Sequence, residues 1–112
     1  MITITNNQIK DFISCAFEGG INYWCDGITV KNNDFKGENC SSGAISNGAA
    51  LILEIYEGDG VISKKELKKD DIYNALEQID RKIFNRLVND NYDADDVDKL
   101  IQIALFNKVI FG

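Results

Sequence analysis

The residues with the most chemical content per position are Glu18-Gly-Gly-Ile-Asn22-Tyr23-Trp24-Cys25-Asp26. Aromatic planes beside an amide and a carboxylate suit stacking on a base while hydrogen bonds read its edge. Gly19 and Gly20 leave backbone open to close approach. A packing account competes, in which a Trp anchors the core beneath a helix end and Asn22 serves the turn. For Trp24 packing is favoured, because so large an apolar area normally goes inside. Glu18, Asn22 and Tyr23 stay open between the two accounts. Phosphate loops of the Walker or dinucleotide type are not matched.

Positive charge concentrates at Lys64, Lys65, Lys68 and Lys69, followed by Arg81, Lys82 and Arg86. In a chain of formal charge −6 such a cluster could meet a phosphate or another anion. The plainer account, and the favoured one, is a solvated strand end whose lysines guard an edge. The candidate ligand-binding set is therefore Glu18, Gly19, Gly20, Asn22, Tyr23, Trp24, Lys64 and Lys65. Asp90, Asp93, Asp95, Asp96 and Asp98 form an acidic run. Helix capping explains most of it, and a face for a basic partner is the alternative.

Glu57-Gly-Asp-Gly60 through Glu66 resembles the second half of a calcium loop, with Glu66 as the closing ligand. Counting back puts Ile55 where the first carboxylate belongs, so a hairpin turn is the better reading. Catalysis fares poorly. The chain has no histidine, so Ser14, Ser41, Ser42, Ser46 and Ser63 lack an imidazole, as do Cys15, Cys25 and Cys40. Three cysteines without a Cys-x-x-Cys spacing argue against a disulfide framework and a zinc site. No catalytic residue, metal or cofactor is assigned, and an enzyme is disfavoured. The acidic balance also disfavours direct nucleic-acid binding.

These residues must be positioned by one small domain over residues 1–112, since 112 residues leave little room for a second core. Ile2 and Ile4 suggest a first strand. Thr5-Asn-Asn-Gln8 matches a capping box, followed by Ile9, Phe12, Ile13, Ala16 and Phe17 at helical spacing. Gly19-Gly20 should stop that helix. Residues 21–30 read as a strand, or two around Asp26-Gly27. The segment 32–48, rich in Asn, Gly and Ser, is long for a connection and is either functional or mobile.

Residues 49–56 read as the best strand, with a return strand over 61–67. A long helix over 71–89 carries Ile72, Leu76, Ile79, Ile83 and Leu87 on one stripe. Asp93 can cap a last helix bearing Val97, Leu100, Ile101, Ala104 and Leu105, and 109–111 form a short strand or an apolar tail. The order implies an α+β fold, mainly antiparallel, with about three helices packed on one face of the sheet. With no membrane span and no secretory signal in view, a cytoplasmic protein is expected.

Phe17-Glu-Gly-Gly-Ile-Asn-Tyr-Trp24, Gly48-Ala-Ala-Leu-Ile-Leu-Glu54 and Ile101-Gln-Ile-Ala-Leu-Phe-Asn-Lys-Val-Ile-Phe-Gly112 together resemble a widespread group of small phage- and prophage-encoded proteins. At Asn107 and Lys108 the chain departs from that pattern, where such proteins more often carry Gly and an acidic residue. The resemblance implies phage origin and the host cytoplasm, and no mechanism. By analogy of context, two roles in countering host antiviral defence are expected. One is a sponge, a homo-oligomer sequestering a small cyclic signalling nucleotide. The other is an anti-CRISPR-like inhibitor whose acidic surface blocks a defence nuclease. The sponge is narrowly preferred.

Overall fold

In a computed structural model of the chain, residues 4–56, 60 and 62–112 are described. Helix α1, Asn6–Cys15, starts as its spacing predicts. Thr5 Oγ1 accepts from the Gln8 N–H at 3.1 Å and Gln8 Oε1 accepts from the Thr5 N–H at 3.0 Å, closing the capping box. Ile9, Phe12 and Ile13 are fully buried on its inner face. The helix does not simply stop at the double glycine. It widens into a π-turn over Ala16–Gly20, where the Ile21 N–H reaches Ala16 O at 3.1 Å and Gly19 holds φ +156°.

Three strands follow, β1 Cys25–Val30, β2 Leu51–Tyr56 and β3 Ile62–Leu67, paired antiparallel in the order β1-β2-β3. Residues 25–30 form one strand with a bulge between Cys25 and Gly27, not two strands around a turn. Val30, Leu51, Leu53, Ile55 and Leu67 are buried on one face, while Thr29, Tyr56, Ile62, Lys64 and Glu66 lie exposed on the other. The helices cover the buried face, so the α+β class holds.

Five α-helices stand among the described residues, where about three were expected. The segment 32–48 supplies one of them, α2 at Ser41–Ser46, with Ala44 and Ile45 fully buried. The expected long helix is two, α3 Lys69–Gln78 and α4 Arg81–Val88. Ile79 is extended at φ −70°, ψ 154°, and Asp80 Oδ1 accepts from the Lys82 N–H at 2.9 Å. An Asp that can cap a new helix outcompetes continuation of the old one. The apolar stripe survives because both segments face one core, with Ile72, Leu76, Ile79, Ile83 and Leu87 all buried.

Helix α5, Ala94–Phe106, is capped by Asp93, whose Oδ1 accepts from the Asp96 N–H at 2.9 Å. It ends at Asn107 in the left-handed region. Residues 107–112 return along α5 as an apolar tail, the second of the two forms expected, and 109–111 form no strand. Ile4 is buried outside any strand; the rest of the expected first strand lies outside the described residues, as do residues 57–59 of the expected turn and Val61. No helix among the described residues is long and apolar enough to cross a membrane.

Candidate functional site

The aromatic segment after α1 is built into the interior through α5. Trp24 is 1 % exposed and its Nε1–H donates to Asp98 Oδ1 at 2.7 Å. The Tyr23 hydroxyl donates to Asp98 Oδ2 at 2.5 Å although its ring is 55 % exposed. Gln102 Nε2 donates to Asp98 Oδ1 at 2.8 Å, so one buried carboxylate is held by three uncharged side chains. That bond to the carboxylate and partial burial hold the Tyr23 phenol protonated, its pKa pushed up to about 12, burial being the larger cause.

Two of the chain's own rings meet Trp24. Phe111 lies parallel to the indole at 5.3 Å and 7°, and Phe106 approaches edge-on at 5.8 Å. The plane considered for stacking a base is thus in contact with the tail. Gly20 is buried, and a Cβ there would stand 3.2 Å from Ala94 O at the start of α5. The close approach that the double glycine permits is made by α5 itself. Glu18, Gly19 and Asn22 remain exposed.

The lysine cluster is dispersed by the geometry of the hairpin. Successive strand residues face opposite ways, so Lys64 shares the outer face with Glu54 while Lys65 lies opposite Leu53. Tyr23 and Trp24 bond to α5 on the helical side, and Lys64 stands on the other side of the sheet. Lys69 Nζ donates to Ser46 O at 3.0 Å and holds the end of α2. Arg81 lies over the Phe84 ring at 4.7 Å. Arg86 makes a two-point pair with Asp96, at 2.7 and 2.6 Å. Within one copy of the chain, Glu18–Trp24 and Lys64 are therefore not brought together.

Lys68 instead reaches a different place. At the end of the sheet where Val30, Leu51 and Leu67 sit side by side, β1 leaves, β2 enters and β3 leaves. Lys31, Ala50 and Lys68 are the next residues outward, and the Lys31 N–H bonds Ala50 O at 2.9 Å. After Lys31 the chain turns through Asn32, Asn33 and Lys36, all at positive φ, which brings Lys36 back towards Gly48 and Ala49. The result is an open recess of ≈ 240 Å³ whose rim carries Lys31, Lys36, Lys68 and Asn32.

Two carboxylates share that rim. Lys31 pairs with Glu66 at 3.0 Å and Lys36 with Asp34 at 2.9 Å, both with exposed partners. Lys36 holds the Asp34 carboxyl below its usual range through its hydrogen bonds. Lys68 has no ion pair among the described residues. Glu66, the closing ligand of the calcium-loop reading, is a strand residue bonded to Lys31; Glu57 and Asp59 lie outside the described residues. Lys31, Asn32 and Lys36 were missed as site residues. Their signal was the run of left-handed-tolerant Asn and Gly in the long segment after β1.

Each aspartate of the acidic run has a partner within the chain, although only Asp96 and Asp98 are buried and Asp90, Asp93 and Asp95 stay exposed. Asp93 caps α5, Asp96 pairs with Arg86, Asp98 holds Trp24, Asp95 meets Lys99 at 3.1 Å and Asp90 Oδ1 accepts from Gln8 at 3.4 Å. Burial pushes the Cys15 and Cys25 thiols up, and hydrogen bonds from Ser42 and the Gly43 N–H pull Cys40 down. No cluster of acidic and thiol groups that could hold a metal ion occurs among the described residues. No family model matches this chain, no curated protein matches it, and no solved structure matches it.

Proposed function

We propose that this chain is a non-catalytic binding module that captures a small phosphate-bearing anion of nucleotide type in the recess rimmed by Lys31, Asn32, Lys36 and Lys68. The observation that carries the reading is three ammonium groups around one recess in a chain of net charge −6. Three lysines against Asp34 and Glu66 leave that rim at about +1, a local inversion of the overall sign. Exposed ion pairs contribute little, so Lys31 and Lys36 can exchange their carboxylates for a phosphate at small cost.

At ≈ 240 Å³ the recess is smaller than an ordinary drug-sized pocket of about 300–1,000 Å³. It fits the phosphate or sugar-phosphate part of a ligand, with the remainder outside. Sequestering a host signalling nucleotide is the setting we propose for that capture. The rival reading, an acidic surface that blocks a nuclease, is the less favoured one, because Asp96 and Asp98 are buried on partners within the chain and only Asp90, Asp93 and Asp95 of the run stay exposed.

Titration calorimetry with pyrophosphate, nucleoside monophosphates and cyclic dinucleotides tests the reading. Binding should weaken several-fold between low and physiological salt, as exposed charge contacts are screened. It should be lost in the K31Q/K36Q/K68Q variant. Heat that persists in that variant, or no heat from any of the probes, rejects the recess as the site.

A further inference from the structure

The tail is attached in an unusual way. Among the described residues no backbone–backbone hydrogen bond fixes 108–112. The segment is held by side chains. Gln102, fully buried on α5, accepts from the Ile110 and Phe111 N–H groups at 2.8 Å each, and Phe111 stacks on Trp24 and meets Phe106 edge-on at 5.8 Å. The reversal that brings it there spans three exposed residues, 107–109, and begins with Asn107 at φ 63°, ψ 10°.

We infer that the 107–112 segment exchanges between two copies of this chain, so that Phe111 of one copy seats on Trp24 of the other. The hydrogen bonds and ring contacts that hold Ile110 and Phe111 run to Gln102, Trp24 and Phe106. None is made to the hinge, so each can form unchanged in trans. Reverting Asn107 from the left-handed region to ordinary backbone sends the tail away from its own body, and short hinges of this kind favour exchange. The balance between the two forms is then set by effective concentration together with the apolar area that two crossing tails cover.

A second copy is the occupant because the Ile110-Phe111-Gly112 sequence is the one seen to fit the cleft. The same end of the molecule leaves Val109 46 %, Ile110 47 % and Tyr23 55 % exposed. A Cβ on Gly112 would lie 3.0 Å from the Tyr23 hydroxyl, which sets the tail beside that ring. Two tails crossing about a two-fold axis would cover these apolar groups with each other.

Trp24 is the sole tryptophan, so its emission reports whether Phe111 is seated. The full-length F111A variant should show red-shifted emission. Mixing it with an equal amount of full-length W24F, which carries an intact tail and no tryptophan, should return about half of the shift, the statistical share of mixed pairs. Native mass spectrometry of wild-type chain, mixed isotopically labelled and unlabelled, should show a mixed dimer growing with concentration. That measurement stands even if W24F fails to fold. A wild type that remains monomeric to millimolar concentration overturns the inference. So does recovery of F111A emission by a free Asn-Lys-Val-Ile-Phe-Gly peptide without recovery by W24F, which would assign the cleft to peptides of other origin.

Discussion

Trp24 and Asp98 are 74 residues apart in sequence and joined by a 2.7 Å hydrogen bond from the indole N–H to a buried carboxylate. Asp98 is 5 % exposed and no lysine or arginine is bonded to it among the described residues. The side chains bonded to its carboxylate are those of Tyr23, Trp24 and Gln102. The same Gln102 carries the tail, so one carboxylate orders the β1 entry, α5 and the segment 107–112 together.

Removing that carboxylate should therefore be costly. D98A leaves the buried Trp24 indole N–H without its acceptor and Gln102 Nε2 with only its two longer bonds, to the Tyr23 hydroxyl and Phe111 O at 3.4 Å each, and should lower stability by about 2–4 kcal/mol. D98N keeps one acceptor oxygen for the indole and should cost less than half as much. Urea unfolding followed by circular dichroism separates them, provided the slope with denaturant is unchanged.

The Tyr23 phenol gives the chain an alkaline limit. Its folded pKa, about 12, lies above the ordinary value of 10.0, so its contribution is complete below pH 10 and is lost as pH rises towards 12. A spectrophotometric titration of the native protein should show Tyr23 among the late-ionising phenols, and Y23F should lose that step while keeping Tyr92, which burial also raises. Unfolding curves of Y23F should be flatter than wild type across the same window.

Asp96 works in the acid range with the opposite sign. Arg86 holds its carboxyl below the ordinary value of 3.8, chiefly through the side-chain hydrogen bonds. The stabilisation is present above the unfolded value and is lost as pH falls through the lower folded one. D96N should show a shallower loss of melting temperature below pH 4, and R86Q the same change. An unaltered acid limb in both would remove the pair from the acid dependence.

The two glycines after α1 should respond differently. Gly19 has open space but holds φ +156°, so G19A strains the backbone without a clash. At Gly20 an added methyl meets Ala94 O at 3.2 Å and pushes on the start of α5. G20V should lower stability by about 1–3 kcal/mol and red-shift Trp24 emission, because α5 carries Asp98. Thermal melts with fluorescence readout decide it.

Local chemistry made part of this legible. The Thr5–Gln8 capping box, the stripe from Ile72 to Leu87 and the Asp93 cap were readable because each depends on residues within a turn or two of one another. The break at Ile79-Asp80 was hidden in the same signal, since two helices facing one core keep the periodicity of a single longer one. The small helix in 41–46 was obscured by the polar composition of the segment around it.

By itself, then, the sequence determined which residues would be apolar anchors and where helices would begin, because capping and periodicity are local. Only the tertiary structure decided the destinations. Strand alternation separated Lys64 from Lys65, and sheet register brought Lys68 to the same end of the sheet as Lys31. The packing of α5 against the turn after α1 turned Tyr23 and Trp24 towards a carboxylate far along the chain. A side chain's partner depends on which face of a distant element arrives opposite it, and spacing within one segment holds no record of that.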